Sequence, residues 1–132
     1  MNVFEIDIAS PIAEVEPEVD AALAAEGFGV LARIDVAATL AAKLQVDRPG
    51  LKILEVCSPT YAHQALEADP SVALLVPCKV VLEEADAQHT RVRIADPREV
   101  IAAADRGDDA RLRALADEIA AALGRSLDRL TR

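Results

Sequence analysis

Apolar and polar residues recur along the chain in a pattern that predicts five strands and five helices. Strands are predicted at about residues 3–8, 28–34, 51–57, 72–83 and 90–94. Helices are predicted at about residues 17–26, 35–44, 59–68, 96–104 and 109–130. The order β-α-β-α-β-α-β-β-α-α predicts an α+β two-layer sandwich, with a mixed or antiparallel sheet of about five strands and helices packed on one face.

Proline and glycine residues mark several of the predicted boundaries. Pro17 is expected in the first turn of the first helix, where its missing N–H is not needed, and Gly27 is expected to end that helix. Ser58 followed by Pro59 is typical of a helix N-terminus with a serine cap. Pro77 predicts an edge position or a bulge in the fourth strand, because proline cannot donate a hydrogen bond to a sheet.

The C-terminal helix, about residues 109–130, follows a predicted turn at residues 106–108 and carries a long apolar stripe. Its leucines up to Leu123 share one face, and Leu127 and Leu130 continue the stripe. An apolar stripe on a helix needs a partner surface. The end of this stripe therefore either covers the protein's own sheet or forms a homodimer interface.

Composition narrows the class of protein. The 132 residues are the size of a single domain, residues 1–132, and the apolar fraction of 52% with only 2% aromatic residues predicts a core of Val, Leu, Ile and Ala. A net charge of −9 argues against nucleic-acid binding, because a phosphate backbone would be repelled. No apolar run approaches the ~20 residues of a membrane span, and the N-terminus does not resemble a signal peptide. We expect an acidic, cytoplasmic protein with no membrane partner.

Reactive residue types concentrate in the middle of the chain. Cys57 ends a strand directly before a helix N-terminus, whose unpaired N–H groups and dipole stabilise a thiolate. His63 lies about one turn into the same helix and can lean toward the same strand end, and Cys78 follows Pro77. In a cytoplasmic protein two cysteines are expected as reduced thiols.

Three hypotheses for these residues stay open. The first makes Cys57, His63 and Cys78 ligands of a metal such as zinc, copper(I) or iron, which suits their residue types. The second makes Cys57 a redox-active or nucleophilic thiol that Cys78 resolves. The third makes both cysteines small apolar core residues and His63 a residue of the helix surface.

Several blocks between about residues 20 and 100 together resemble one known family. The blocks are Gly27-Phe28-Gly29-Val30-Leu31, Ile34-Asp35-Val36, Cys57-Ser58-Pro59, Ala62-His63, Leu74-Leu75-Val76-Pro77-Cys78-Lys79-Val80 and Ala95-Asp96-Pro97. They resemble the domain of unknown function 302 family. The resemblance implies a two-layer α+β domain, found in bacteria and archaea and often as a homodimer, with no settled reaction.

The resemblance also implies which positions carry the family's motif residues. Here Cys57, His63, Pro77 and Cys78 keep them. Three other positions depart from the pattern. The family usually has Asn where this chain has Ser58 and again where it has Lys79, and a small residue, commonly Gly, where it has Glu55. If those asparagines bind a ligand, the site is altered in this chain, although Ser58 is still expected to cap its helix.

We therefore expect first a non-enzymatic module that binds a small ligand or a metal in a pocket around Cys57, Ser58, His63 and Cys78. One alternative is a thiol-based redox protein or enzyme that uses Cys57 with Cys78. Another is a homodimeric scaffold or accessory protein without a ligand. Neither a cofactor nor a catalytic residue follows from the sequence.

Overall fold

A computed structural model describes residues 3–103 and 109–130 of the chain, and there it confirms the predicted order of strands and helices. The strands are β1 (Val3–Ile8), β2 (Gly29–Asp35), β3 (Leu51–Cys57), β4 (Cys78–Asp86) and β5 (His89–Ala95). The helices are α1 (Ile12–Ala24), α2 (Val36–Leu44), α3 (Pro59–Ala68), α4 (Pro97–Ala103) and α5 (Ala110–Asp128), and a short 3-10 helix spans Pro70–Leu74. The turn predicted at residues 106–108 lies outside the described residues.

The described strands form one sheet in the order β1-β5-β4-β3-β2, and each neighbouring pair is antiparallel. Side chains alternate between the two faces of each strand. On one face, alternate residues such as Leu54 and Val56 of β3 are completely buried beneath α1 and α5. The predicted α+β two-layer sandwich is confirmed, and its sheet is antiparallel rather than mixed.

A second, smaller apolar cluster lies where α3, α4, α5 and the 3-10 helix meet at one end of the sheet. Its buried members are Ala65, Val72, Ile101, Leu112, Leu115 and Ala116. Apart from Phe28 in the main core, the buried members of both clusters are aliphatic, in line with the aromatic-poor composition. Among the described residues, no helix is long and apolar enough to cross a membrane.

Two predicted boundaries are wrong. Helix α1 begins at Ile12 rather than near Pro17, because the helical spacing of Ile12 and Val15 extends the buried stripe back to Pro11, and Pro17 lies exposed inside the helix. Residues 72–76 are not part of a strand. The Asp69 side chain accepts a hydrogen bond from the Ser71 amide and starts the 3-10 helix there, so that β4 begins only at Cys78.

The interface interpretation of the C-terminal stripe is also wrong. Leu127 and Leu130 are only 8% and 4% exposed, and both belong to the main core beside the sheet. The stripe therefore covers the protein's own sheet, and these leucines are not available to a partner.

Candidate functional site

The two cysteines lie side by side at the ends of adjacent strands. Cys57 is the last residue of β3 and Cys78 is the first residue of β4, where Val56 pairs with Cys78 in the antiparallel register. Both are free thiols, and both line a small cavity of about 30 Å³ together with Ser58 and Pro77. The structure thus brings these sequence-predicted site residues together.

Burial controls the chemistry of both thiols. It raises the pKa of Cys78 to about 11, with a smaller contribution in the same direction from nearby Cys57 and Glu55. Burial also raises the pKa of Cys57. The stabilised thiolate expected at the N-terminus of α3 is therefore wrong, because burial disfavours the charged form of Cys57. At neutral pH both cysteines are protonated, which makes them poor nucleophiles.

Ser58 occupies the N-cap position of α3, and its side chain is buried at 8% exposure. Its hydroxyl makes no capping hydrogen bond to the described backbone, so the expected serine cap is wrong. Ser58 is therefore a polar element of the wall of the small cavity, rather than a support for the helix.

His63 lies apart from the two thiols. It is exposed on α3 and lines a surface groove between α3 and α5, together with Glu67, Arg111 and Glu118. Within residues 3–103 and 109–130, no group of three His, Cys, Asp or Glu residues is placed to hold a metal ion. The structure therefore does not assemble the ligand set of Cys57, His63 and Cys78.

A larger apolar cavity of about 200 Å³ adjoins the small one and shares Cys78 and Pro77 with it. It lies between the 3-10 helix, α3, α4, α5 and the near ends of β4 and β5. Its wall consists of Ala65, Val72, Leu75, Val76, Pro77, Cys78, Lys79, Ala95, Pro97, Val100, Ile101, Leu112, Leu115, Ala116 and Ile119. No pattern in the sequence predicts this cavity. The one part of its wall that stands out in the sequence is the apolar run at residues 72–76, which the apolar pattern assigns to a strand.

Residues 4–130 match the family described as "Domain of unknown function DUF302". The chain belongs to the DUF302 family. A crystal structure of an uncharacterized conserved DUF302 protein from Bacillus stearothermophilus is similar to it, with 27% sequence identity, a TM-score of 0.89 and 99% of each chain covered. No curated protein matches the chain. These comparisons confirm the family and the fold, and they supply no reaction.

Two departures from the DUF302 pattern prove to be one feature. Glu55 of β3 and Lys79 of β4 are directly opposite each other in the register, and Lys79 Nζ lies 2.8 Å from Glu55 Oε1. A carboxylate and an ammonium at facing positions stabilise each other, whereas either one alone beside these strands would lack its counter-charge. Because side chains alternate along a strand, the pair lies on the outer face of the sheet with Ile53 and Val81, whereas Leu54, Val56 and Val80 face the helices.

Proposed function

We propose that this DUF302 protein is a small-molecule binding module and that its ligand occupies the apolar cavity. The observation that carries the proposal is the cavity itself, about 200 Å³ of space with an almost entirely aliphatic wall. Protein interiors are close-packed, and voids larger than a water molecule are few.

The size and polarity of the cavity define the class of ligand. An apolar cavity of about 150 Å³ stays dry and binds benzene, so a cavity of this size suits an apolar body of about eight non-hydrogen atoms. Small-molecule sites combine apolar walls with a few polar groups at one side. Here the Cys78 thiol is such a group. Because both thiols are held protonated, binding is better supported than thiol chemistry.

A matched pair of substitutions in α5 tests the proposal. Ala116 is buried and lines the cavity, whereas Ala121 is exposed on the same helix and lines no described cavity. We expect 1-hexanol to bind the wild type in ligand-observed NMR titrations, Ala116→Leu to abolish binding, and Ala121→Leu to leave it unchanged. Val100→Phe fills the cavity from α4 and gives a second filled variant in case Ala116→Leu folds poorly. Equal hexanol binding by wild type and filled variants would refute the proposal.

A homodimeric scaffold is a second candidate function, and the outer face of the sheet supports it. Ile34, Ile53 and Val81 face one another across β2, β3 and β4 on the face opposite the helices. Leu31 beside them is 67% exposed. All nine residues of α2 are described and none of them is buried. An apolar strand face and an apolar helix normally pack against another layer, and the occupant we propose is a second copy of the chain.

Sedimentation velocity distinguishes the scaffold from a monomeric binding module. Leu31 and Leu74 are both highly exposed leucines, but Leu74 lies in the 3-10 helix, away from the outer sheet face. We expect wild type and Leu74→Lys to sediment as dimers and Leu31→Lys to sediment as a monomer, because a charge within a dimer interface costs far more than one in water. A monomeric wild type, or dimers of all three proteins, would rule out this interface.

A further inference from the structure

Ser58 presents a hydroxyl to the small cavity at the N-terminus of α3. The residue is only 8% exposed and lines this cavity, and its side chain makes no hydrogen bond to a described residue. Its oxygen is nevertheless not one of the buried atoms that lack a partner, so the hydroxyl borders open space rather than packed side chains. A serine hydroxyl can donate one hydrogen bond and accept others. The Ser58 hydroxyl is therefore available to a ligand atom in the small cavity.

The small cavity adjoins the larger apolar one. The residues that line both of them are Ala65, Val76, Pro77, Cys78 and Ile119. The larger cavity, about 200 Å³, has room for an aliphatic chain, whereas the small one, about 30 Å³, has room for a single small group. In position and in size, the two cavities thus match the tail and the head of one ligand.

The surroundings of the small cavity favour an uncharged head. Among the described residues that line it, none is Asp, Glu, Lys, Arg or His. Burial raises the pKa of both cysteines there, so a negative charge is disfavoured at this place. A carboxylate or an ammonium group would lose its water without gaining a counter-charge. A neutral oxygen, in contrast, needs only a hydrogen bond of the kind that Ser58 offers.

We infer that the ligand is an uncharged aliphatic alcohol or ketone, whose chain fills the larger cavity and whose oxygen forms a hydrogen bond with the Ser58 hydroxyl. This inference rests on the proposed function and specifies the chemical class and the orientation of its ligand. Removal of the Ser58 hydroxyl should weaken binding about fivefold, which is the contribution of one neutral hydrogen bond. A ligand without an oxygen should not be affected.

The experiment titrates 1-hexanol, toluene and hexanoate into wild type, Ser58→Ala and Ser126→Ala, with binding followed by ligand-observed NMR. Toluene is an apolar body of similar size without an oxygen, and hexanoate carries a charged head on a similar chain. Ser126 supplies the matched control, because its hydroxyl is also buried, donates to the Ala122 carbonyl and lines neither cavity.

We expect Ser58→Ala to weaken 1-hexanol about fivefold and to leave toluene unchanged, and Ser126→Ala to change neither ligand. Hexanoate should bind the wild type at pH 7 at least about tenfold more weakly than 1-hexanol, because its carboxylate finds no counter-charge. In the wild type, 1-hexanol but not toluene should shift the backbone amide signals of Ser58 and Tyr61, which places the oxygen in the small cavity. Circular dichroism checks that each variant is folded.

The outcomes separate this inference from the proposed function. If both neutral ligands bind and Ala116→Leu abolishes their binding, while Ser58→Ala leaves 1-hexanol unchanged or weakens toluene equally, the inference fails and the apolar site remains. Hexanoate that binds as tightly as 1-hexanol would refute the uncharged head. If neither 1-hexanol nor toluene binds the wild type, both proposals fail.

Discussion

The Cys78 thiol allows a quantitative test of the site, because burial raises its pKa from an ordinary value of 9.0 to about 11. Two pKa units reduce the thiolate fraction at pH 8 about a hundredfold, and only the thiolate reacts with an alkylating agent. Alkylation of Cys78 should therefore be at least a hundredfold slower in the folded protein than in the unfolded chain. Below pH 10 its rate should rise about tenfold for each pH unit.

The same shift predicts how stability changes with pH. The folded-state pKa lies above the unfolded value, so the folded protein keeps a proton that the unfolded chain releases. The contribution of Cys78 to the free energy of unfolding is fully present below pH 9 and is lost as the pH rises toward about 11. Two units correspond to about 3 kcal/mol in total, of which about 1 kcal/mol is lost between pH 8 and pH 10. Cys57 acts in the same direction, because burial raises its pKa as well.

Iodoacetamide labelling of the wild type, followed by mass spectrometry of the Cys78 peptide, measures this rate directly. A Cys57→Ser variant, which loses the smaller contribution of Cys57 to the raised pKa, measures Cys78 as the single remaining thiol. The same variant in concentrated urea supplies the unfolded rate. Urea unfolding of Cys57→Ser at pH 8 and pH 10, compared with the variant that also carries Cys78→Ala, measures the linked stability. A labelling rate that levels off below pH 9, or no difference in pH dependence between the two variants, would refute the buried, protonated thiol.

Three further predictions concern the fold. Asp109 accepts hydrogen bonds from two N–H groups of α5, so Asp109→Ala should lower the free energy of unfolding in urea by about 1 kcal/mol. Ser58→Ala should lower it by less, because the serine caps no N–H of α3. Equal losses from the two substitutions would contradict this account. Leu127→Ala should lower the free energy of unfolding by about 3 kcal/mol without changing the sedimentation coefficient, whereas altered sedimentation would restore the interface interpretation. Hydrogen bonding to Arg98 holds the pKa of buried Asp96 below its ordinary value of 3.8. The ionised Asp96 therefore stabilises the folded protein above pH 3.8, and this stabilisation is lost as the pH falls through the lower pKa of the folded state. Between pH 5 and pH 2, wild type should therefore lose more stability than Asp96→Asn, and parallel losses would argue against the pair.

The order of elements was predictable because most of them carry a clear period and a clear boundary residue. Asp35, for example, directly precedes the helical pattern of α2, where a carboxylate is a common N-cap, and it accepts a hydrogen bond from the Ala38 amide at 2.9 Å. Residues 72–76 have neither feature, since an unbroken apolar run fits a buried strand and a buried helical turn equally well. Their conformation is decided by the carboxylate of Asp69 and by packing against α5.

The site was predictable only where it is local in the chain. The residue types single out Cys57 and Cys78, but their adjacency depends on β4 beginning at Cys78 rather than at residue 72 and on its register with β3. The opposition of Glu55 and Lys79 depends on the exact register between β3 and β4, which the apolar pattern does not define to one residue. The cavity depends on how four helices and two strand ends pack, and no local pattern encodes the space left between them.

The central claim is that the apolar cavity is a binding site, and methyl NMR during a titration with 1-hexanol tests it most directly. The expected result is saturable shifts at the methyl groups of cavity residues such as Val72, Val100 and Leu115, while Ile34 and Ile53 on the outer sheet face stay unchanged. Absence of saturable shifts at the cavity residues, or shifts confined to the outer face, would contradict the claim.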